Sequence, residues 1–443
     1  MKLGIAIIIL SMTFLRIIQW QMGWGPISKF WFNPVIISML LGLFLTFCFD
    51  SHYRKNILFN NLDFIMLLFI IYGLFITIIT YEKCGFFTAV NGFRTYFFGG
   101  FIYFLFRGYI INKNEARFIT FVLIASIAVV SIELITEFIL MNSFSLDWRF
   151  IPWLSGENVG VLIDSPERIR KETLFRPLGM LAYVHYTAYI IGLGILINAP
   201  LVLNMKRSII SIKFFTLLIL FSSLILTTTR SVIAIVIFLL LYLVKKERIL
   251  FKFKKIGKFF IVMSVGLILA YCLNVLDFLR EAFSLEEAFY SSFYTDPFWN
   301  IFETNPLEII VGRGFPVGGY ERLFFDMDLI TEEGFHFNQI SDEIHFLYYL
   351  DRIGIIGGIL FVLQIIIAFK MGLKVAKLEK NNDFRNYMIG FSLCPLLFLF
   401  SSVHILHTDV VMQFFNYTIL GTIGSFHQVY SNEPPITEVN YSY

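Results

Sequence analysis

The chain has 443 residues, of which 57% are hydrophobic and 15% are charged. Since a soluble domain has about a quarter of its residues charged, this composition excludes an ordinary soluble protein and indicates an integral membrane protein. The net charge of +3 is uninformative as a total, because in a membrane protein the loops that carry the charge matter more than its sum. We expect no nucleic-acid partner.

Apolar segments of membrane-spanning length recur along the whole chain. The first, MKLGIAIIILSMTFLRIIQW, is interpreted as a spanning helix and not as a signal peptide, because no small-residue cleavage pattern follows it and Arg16 interrupts it. Segments of roughly 17 to 25 residues are long enough to cross a hydrocarbon core of about 30 Å, and we predict about twelve of them. They lie near residues 4–20, 32–50, 62–80, 88–108, 117–140, 178–199, 210–227, 230–245, 257–277, 346–369, 385–402 and 409–427. The expected fold is a single all-α polytopic membrane domain, residues 1–443.

The basic residues alternate between loops and predict which side each loop faces. They cluster in five loops, at residues 54–55, 113–117, 206–213, 245–258 and 370–385. By the positive-inside rule these loops are cytoplasmic, and an even number of spans places both termini there as well. The two long loops, residues 141–177 and 278–345, then face outward, the second between spans 9 and 10. Long outer loops are where we expect functional residues.

The second outer loop is acidic and rich in aromatic residues. It has thirteen acidic residues against three arginines, and it includes FYSSFYTDPFWNIF. This composition is too aromatic for a disordered linker, so the loop is expected to fold over the outer face. Its GRGFPVGGY piece, which contains Arg313, supplies glycine and proline for a tight turn. No internal repeat is visible, which disfavours an inverted-repeat transporter.

Three arginines lie where a charge in a membrane protein requires a polar partner. Arg230 follows three threonines at the predicted outer end of a span, and its guanidinium suits the fork geometry of phosphate binding. The alternative is an interfacial arginine that reaches lipid headgroups. Arg176 has the same placement on another span. Arg94 lies inside an apolar span and is expected to face a polar cavity or a carboxylate, Glu133 or Glu137.

The stretch SDEIHFLYYLDRIGIIGG places Glu343 and His345 where the second outer loop re-enters the membrane. A carboxylate and an imidazole there can remove a proton from a hydroxyl as general bases. The alternative is a polar helix cap, which we prefer for Asp342. His185 is expected to be a buried histidine satisfied by a hydroxyl.

Neither histidine nor cysteine spacing supports a metal site. His404, His407 and Asp409 are close in sequence, but interfacial polarity explains three such residues better than zinc. Only Cys84 of the four cysteines lies near a predicted surface, so neither a disulfide framework nor a cysteine metal site is supported. We expect no metal and no cofactor.

The order of these features resembles the bacterial O-antigen polymerases of the Wzy type and the O-antigen ligases, between about residues 94 and 358. The similar pieces are FRPLGMLAYVHYTAYIIG, LTTTRSVIAI, and NPLEIIVGRGF followed by EIHFLYYLDRIGIIGG. The ligases typically show a His-Asn pair before the last motif, where this chain has Glu343 and Ile344, and an arginine before a tryptophan in the large loop, where this chain has YTDPFWN. Both departures favour a polymerase.

The resemblance implies an undecaprenyl-pyrophosphate-linked oligosaccharide as substrate and a helical bundle of the GT-C glycosyltransferase type in the bacterial cytoplasmic membrane. It implies that Arg94, Arg176, Arg230 and Arg313 bind the pyrophosphate or the glycan, and that Glu343 or His345 acts as the base. A chain-length regulator and a flippase of the same pathway are the expected protein partners. A ligase, and a transporter of lipid-linked glycans without chemistry, remain alternatives.

Overall fold

The computed structural model places the described residues in helices and one short ribbon. It describes residues 2–21, 38, 42, 45, 59–110, 112–144, 170–171, 174–175, 177, 179, 184–203, 212–227, 229–246, 264, 306–312, 314, 345–402 and 410–431. Most of both long loops, and nearly all of the predicted spans 32–50 and 257–277, lie outside the described residues.

The described elements follow the predicted order along the chain. The helices are α1 Lys2–Gln21, α2 Asn61–Cys84, α3 Phe86–Tyr109, α4 Lys113–Asn142, α5 Val184–Leu203, α6 Ile212–Leu226, α7 Arg230–Lys246, α8 Pro306–Val311, α9 His345–Leu378, α10 Asn382–Ser401 and α11 Val410–Ser431. An antiparallel ribbon pairs β1 Arg170–Lys171 with β2 Leu174–Phe175 within the first long loop. Among the described residues, helices occur at ten of the twelve predicted span positions.

Five of the described helices are long and apolar enough to cross a membrane. These segments are Asn61–Glu82, Lys113–Asn142, Val184–Leu203, Arg352–Leu378 and Phe384–Ser401. The chain is therefore an α-helical protein of the kind that spans membranes, as the composition predicts. The count of twelve spans and the inside-outside orientation stay predictions.

Two asparagine side chains cap the starts of α2 and α4. The Asn60 side chain accepts hydrogen bonds from the backbone N–H groups of Leu62 and Asp63, and the Asp63 carboxylate accepts one from the Asn60 N–H at 2.9 Å. The Asn112 side chain accepts from the N–H groups of Asn114 and Glu115 in the same way. Such caps satisfy N–H groups that have no partner within the helix, so they set the first residues of α2 and α4.

The core of the bundle lies around α5, α10 and α11. All residues of α5 except His185 and Tyr186 are buried. Helices α5 and α10 approach closely because Gly390 has no side chain: a Cβ there would lie 2.8 Å from the Ile197 carbonyl oxygen. Small residues at such crossings let membrane helices gain van der Waals contact along their backbones. Helix α11 also packs against α3, and α3 packs against α2.

Buried polar side chains join α2, α3 and α11 at one end of the bundle. The Arg107 guanidinium donates to Asp63 at 3.1 Å and 3.3 Å, and the Tyr103 hydroxyl donates to the same carboxylate at 2.6 Å. Arg107 also donates to the Gln428 side-chain oxygen. Asp63, Arg107 and Gln428 are each at most 3% exposed. A charge this deeply buried requires such partners, and here each element supplies one.

A second ion pair lies at the start of α4. The Lys113 ammonium is 2.9 Å from Glu379, the residue after the end of α9, and 5.3 Å from the centre of the Phe384 ring in α10. Residues 113 and 379 belong to loops predicted to lie on the same side of the membrane, and this contact places them at the same end of the bundle. We call the end that carries Asn60, Lys113 and Glu379 the inner end, and the opposite end the outer end.

Candidate functional site

Helix α9 is broken near its outer end at Gly354. This residue has φ 65° and ψ 179° within an otherwise continuous helix, His345–Leu378. Side chains with a Cβ rarely adopt a positive φ, so glycine is required at this position. The break lies in the GIIGG sequence that carries the resemblance. It separates a short outer piece that begins at His345 from a long inner piece.

The turn that follows α8 packs directly onto this break. The Gly314 N–H donates to the Arg352 carbonyl at 3.3 Å. A Cβ on Gly312 would collide with the Arg352 carbonyl, and a Cβ on Gly354 would collide with the backbone of residues 310–312. Gly312 and Gly314 both have φ 93°. The two backbones can meet here only because each has a glycine at the point of contact, Gly312 on one side and Gly354 on the other. This contact joins the GRGF motif to the GIIGG motif.

A tyrosine of α2 contacts both partners of this junction. The Tyr72 hydroxyl lies 2.5 Å from the Val311 carbonyl oxygen and 2.8 Å from the Ile353 carbonyl oxygen, so its proton is shared between them. Thr80 of the same helix lies against Gly314, where a Cβ would be 2.8 Å from the threonine oxygen. We call the meeting of Val311, Gly312 and Gly314 with residues 352–354, together with the Tyr72 hydroxyl, the outer junction.

Arg230 is the first residue of α7 and lies at the outer end. Its side chain is half-buried, and Thr229 before it is buried. The Thr227 hydroxyl donates to the Leu224 carbonyl at 2.6 Å and accepts from the Thr229 N–H at 3.3 Å. These threonine contacts close the α6–α7 connection and hold the start of α7 at a fixed place. A ligand role for Arg230 stays a prediction.

Arg94 lies in the outer part of α3 next to a polar crossing with α11. Its side chain is half-buried. The Gln413 side chain of α11 donates to the Thr95 carbonyl and accepts from the Gly99 N–H at 2.9 Å. Gln413 therefore fixes the α3 backbone within two turns of Arg94. Whether Arg94 faces Glu133 or Glu137 stays a prediction.

Glu137 of α4 fixes the backbone just after the predicted site residue Arg176. The Gly179 N–H donates to the Glu137 carboxylate at 2.9 Å, and Glu137 is fully buried. Gly179 has φ 71°, and a Cβ there would lie 2.9 Å from Thr187 of α5. Gly179 is thus held between α4 and α5. Arg176 itself lies outside the described residues.

The predicted acid and base residues are described only in part. Helix α9 begins at His345, one residue before the predicted span 346–369, and the placement of the His345 side chain lies outside what the structure describes. Glu343 and Arg313 lie outside the described residues, as do Asp342, His404, His407 and Asp409. His185 is exposed, so the expectation of a buried histidine is wrong, because its side chain lies off the packed face of the first turn of α5, on which Val184 and Thr187 are buried.

Sequence reasoning did not single out several polar residues of the outer half. Tyr72 is an ordinary aromatic residue in an apolar run, and nothing in its local sequence marks it. Gln413 and Asn416 are separated by three positions in α11, a spacing that places them on one face of a helix. The Tyr189 hydroxyl of α5 donates to the Asn416 side chain. That spacing within an apolar helix was the available signal.

The described geometry brings the two motifs of the resemblance together at one place. Gly312 and Gly314 flank Arg313 in sequence, and both contact α9 within nine residues of His345 along the chain. Because an α-helix rises about 1.5 Å per residue, the break lies about 13 Å along the helix from His345. The chain matches no protein family, and no curated protein and no solved structure shows significant similarity to it.

Proposed function

We propose that this protein is a membrane glycosyltransferase that joins undecaprenyl-pyrophosphate-linked oligosaccharides into an O-antigen or capsular polysaccharide. The reaction takes place at the outer face of the bacterial cytoplasmic membrane, in a helical bundle of the GT-C type. No nucleotide sugar is available on that face, so the donor arrives already attached to its carrier lipid.

One observation carries the proposal more than any other, namely the outer junction. The two sequence pieces most specific to the polymerase and ligase resemblance, GRGF and GIIGG, are far apart in sequence and in direct backbone contact in the structure. Glycines with positive φ on both sides make that contact possible. Two motifs of the resemblance that pack together as one unit support the polymerase and ligase architecture better than either motif does alone.

In this mechanism the arginines bind the anionic part of the donor. Arg94, Arg176, Arg230 and Arg313 hold the pyrophosphate or the adjoining glycan, and a guanidinium provides two parallel N–H donors to phosphate oxygens. As the bond from the anomeric carbon to the pyrophosphate oxygen breaks, the electron pair stays on that oxygen. The fixed positive charge of the arginines stabilises the negative charge that develops in the transition state more strongly than it stabilises the bound donor. This stabilisation requires no metal.

The acceptor is activated by the residues at the start of α9. Glu343 or His345 removes the proton of an acceptor sugar hydroxyl, and that oxygen forms a bond to the anomeric carbon. The undecaprenyl pyrophosphate leaves from the opposite side, so a single displacement inverts the anomeric configuration. The product is a longer lipid-linked chain and one free carrier lipid. Aromatic and acidic residues of the 278–345 loop would bind sugars by stacking and by hydrogen bonds to hydroxyls.

The test of the proposed function uses cells that lack the protein. Surface polysaccharide and lipid-linked intermediates are separated on glycan-stained gels, after rescue with the wild type, with His345→Ala or with an empty vector. We expect a long-chain ladder only with the wild type, and single repeat units on the surface without it. Equal membrane levels of the two forms are checked by immunoblotting.

The other outcomes identify the alternatives. Polymer that accumulates on the carrier lipid in the deletion would indicate a ligase. Repeat units that fail to reach the outer face would indicate a transporter, and an unchanged glycan profile would contradict a role in polysaccharide synthesis. A purified protein that joins lipid-linked repeats in detergent or in vesicles without other proteins would separate a transferase from a transporter directly.

A further inference from the structure

We propose that Tyr72 is a positioning residue for the transfer reaction. Its hydroxyl joins Val311 to Ile353 at the break in α9, and so it fixes the backbone of Gly312 and Gly314, the sequence neighbours of Arg313, against that break. This inference rests on the proposed function. It adds a residue of α2, a helix with no motif of its own, to the machinery of the outer face.

The position of Tyr72 is itself well fixed. It lies in the middle of α2, which packs against α3 and α9, and next to Gly73, where a Cβ would collide with the Phe97 ring of α3. Its side chain is half-buried, and its hydroxyl reaches two carbonyl oxygens of different segments, of Val311 and of Ile353. One hydroxyl of α2 thus donates to carbonyl oxygens of two different segments.

The carbonyls of Val311 and Ile353 both need a hydrogen-bond donor from outside their own helix. Val311 is the last residue of α8, and Ile353 directly precedes the Gly354 break. Carbonyls at helix ends lack the partner that a continuing helix would provide. Within a membrane protein water is scarce, so leaving such groups unpaired is costly. Tyr72 therefore stabilises one particular arrangement of α8 against α9.

The consequence for chemistry follows from the place of Arg313 in the chain. Gly312 and Gly314 on either side of it both contact residues 352–354. A shift of the turn would carry the arginine away from the pyrophosphate it is proposed to bind, and displacements of about 1 Å are enough to reduce rates by about a hundredfold. Because Tyr72 acts through the turn and does not touch the substrate, its removal should weaken donor binding without abolishing the reaction.

The decisive experiment compares Tyr72→Phe with Tyr81→Phe in the purified full-length protein. Tyr81 lies on the same helix, and its side chain is 55% exposed, so it is a matched control for loss of a hydroxyl. The assay measures joining of undecaprenyl-pyrophosphate-linked repeats as a function of donor concentration. We expect the KM for donor to rise about tenfold in Tyr72→Phe and to stay unchanged in Tyr81→Phe, since a smaller folded fraction would lower only the apparent kcat.

Two further variants separate positioning from general loss of stability. Asp63→Asn should lower the thermal unfolding midpoint of the protein but keep the wild-type KM. In an Arg313→Ala background, Tyr72→Phe should raise the KM little further, because the residue through which Tyr72 acts is already gone.

Three outcomes would overturn the inference. A wild-type KM in Tyr72→Phe, or a full additional tenfold rise in the Arg313→Ala background, would remove the role of Tyr72 and leave the proposed function intact. An equal KM rise in Asp63→Asn would show that any destabilised variant behaves this way. A wild-type protein that joins no lipid-linked repeats would instead overturn the proposed function, and with it the catalytic meaning of the outer junction.

Discussion

The inner and outer ends of the bundle are held together by different kinds of contact. At the inner end charged side chains pair with one another, as Arg107 does with Asp63 and Lys113 with Glu379. At the outer junction the contacts run between backbone groups, through glycines with positive φ and one tyrosine hydroxyl. The inner contacts use charges that are already neutralised by their partners. The outer contacts fix the course of the chain beside residues proposed to meet the substrate.

Charged residues therefore have two different roles in this bundle, as partners of one another at the inner end and as proposed ligand-binding groups at the outer end. When both partners of a buried ion pair are protein groups, removing either one destabilises the fold. Their charges neutralise each other, so neither is available to bind a ligand. Arg230, half-buried at the first residue of α7, is proposed instead to meet an anionic lipid. Substitutions at the two ends should therefore have separable effects, with stability lost at one end and transfer lost at the other.

The largest effect is expected at the outer end with Arg230→Ala. Transfer of lipid-linked repeats should fall by at least about 100-fold, because this arginine is proposed to stabilise the leaving pyrophosphate. The protein should remain inserted at normal levels. Arg117→Ala, an exposed arginine in α4, is the control and should retain activity. The measurement is the glycan ladder together with an immunoblot of membranes, and full activity in Arg230→Ala would contradict the assigned role.

At the inner end we expect Asp63→Asn to act on stability. It leaves the Arg107 guanidinium buried without its carboxylate, which costs about 3–5 kcal/mol when one partner of a buried pair is removed. Unfolding in detergent, followed by circular dichroism, should show the loss. Transfer per folded molecule should be normal. A double variant, Asp63→Asn with Arg107→Gln, should be less destabilised than the sum of the single variants.

Gly354→Ala tests the outer junction as a structural unit. The new Cβ would be forced into a positive φ and against the backbone of residues 310–312, a combination that should cost about 3 kcal/mol. Gly358→Ala is the control, because its Cβ would meet only the flexible end of the Leu350 side chain. We expect Gly354→Ala to lower both the unfolding midpoint and transfer. If both alanine variants behaved alike, the close contact at Gly354 would be unsupported.

The smallest effect is expected for Lys113→Gln. The Lys113 and Glu379 side chains are 14% and 4% exposed, so their pairing is partly shielded from water. Glu379 keeps its hydrogen bond from the Asn381 N–H at 2.7 Å, and the loss should be about 1–2 kcal/mol. The apparent free energy of unfolding should fall by this amount with activity unchanged. A larger loss than in Asp63→Asn would reverse the order of the two inner contacts.

Much of the helical framework was predictable because it depends on local composition. Apolar runs of membrane length gave helices near the predicted places, for example α5 at Val184–Leu203 against the predicted 178–199. Starts were set by caps such as Asn112, whose side chain satisfies N–H groups within its own helix. The predicted position of Arg230 at the start of a helix is also found, since α7 begins at that residue.

The contacts between helices were not predictable from a single sequence. Arg107 lies in a predicted span and was not singled out, and its partner Asp63 is 44 residues away. Tyr72 had no local signature, since its hydroxyl is meaningful only beside carbonyls that are 239 and 281 residues further along the chain. Pairing over such separations depends on which helices become neighbours, and helix hydropathy carries no information about that.

The amino-acid sequence by itself determined that this is a helical protein with membrane-spanning segments, because the free energy of placing apolar residues in lipid depends on each segment alone. The tertiary structure decided what those segments do together. It paired Asp63 with Arg107, and it brought Gly312 against Gly354 beside the Tyr72 hydroxyl. Charged groups and carbonyls that are removed from water are costly unless they are paired, and helix packing determines which partners are near enough.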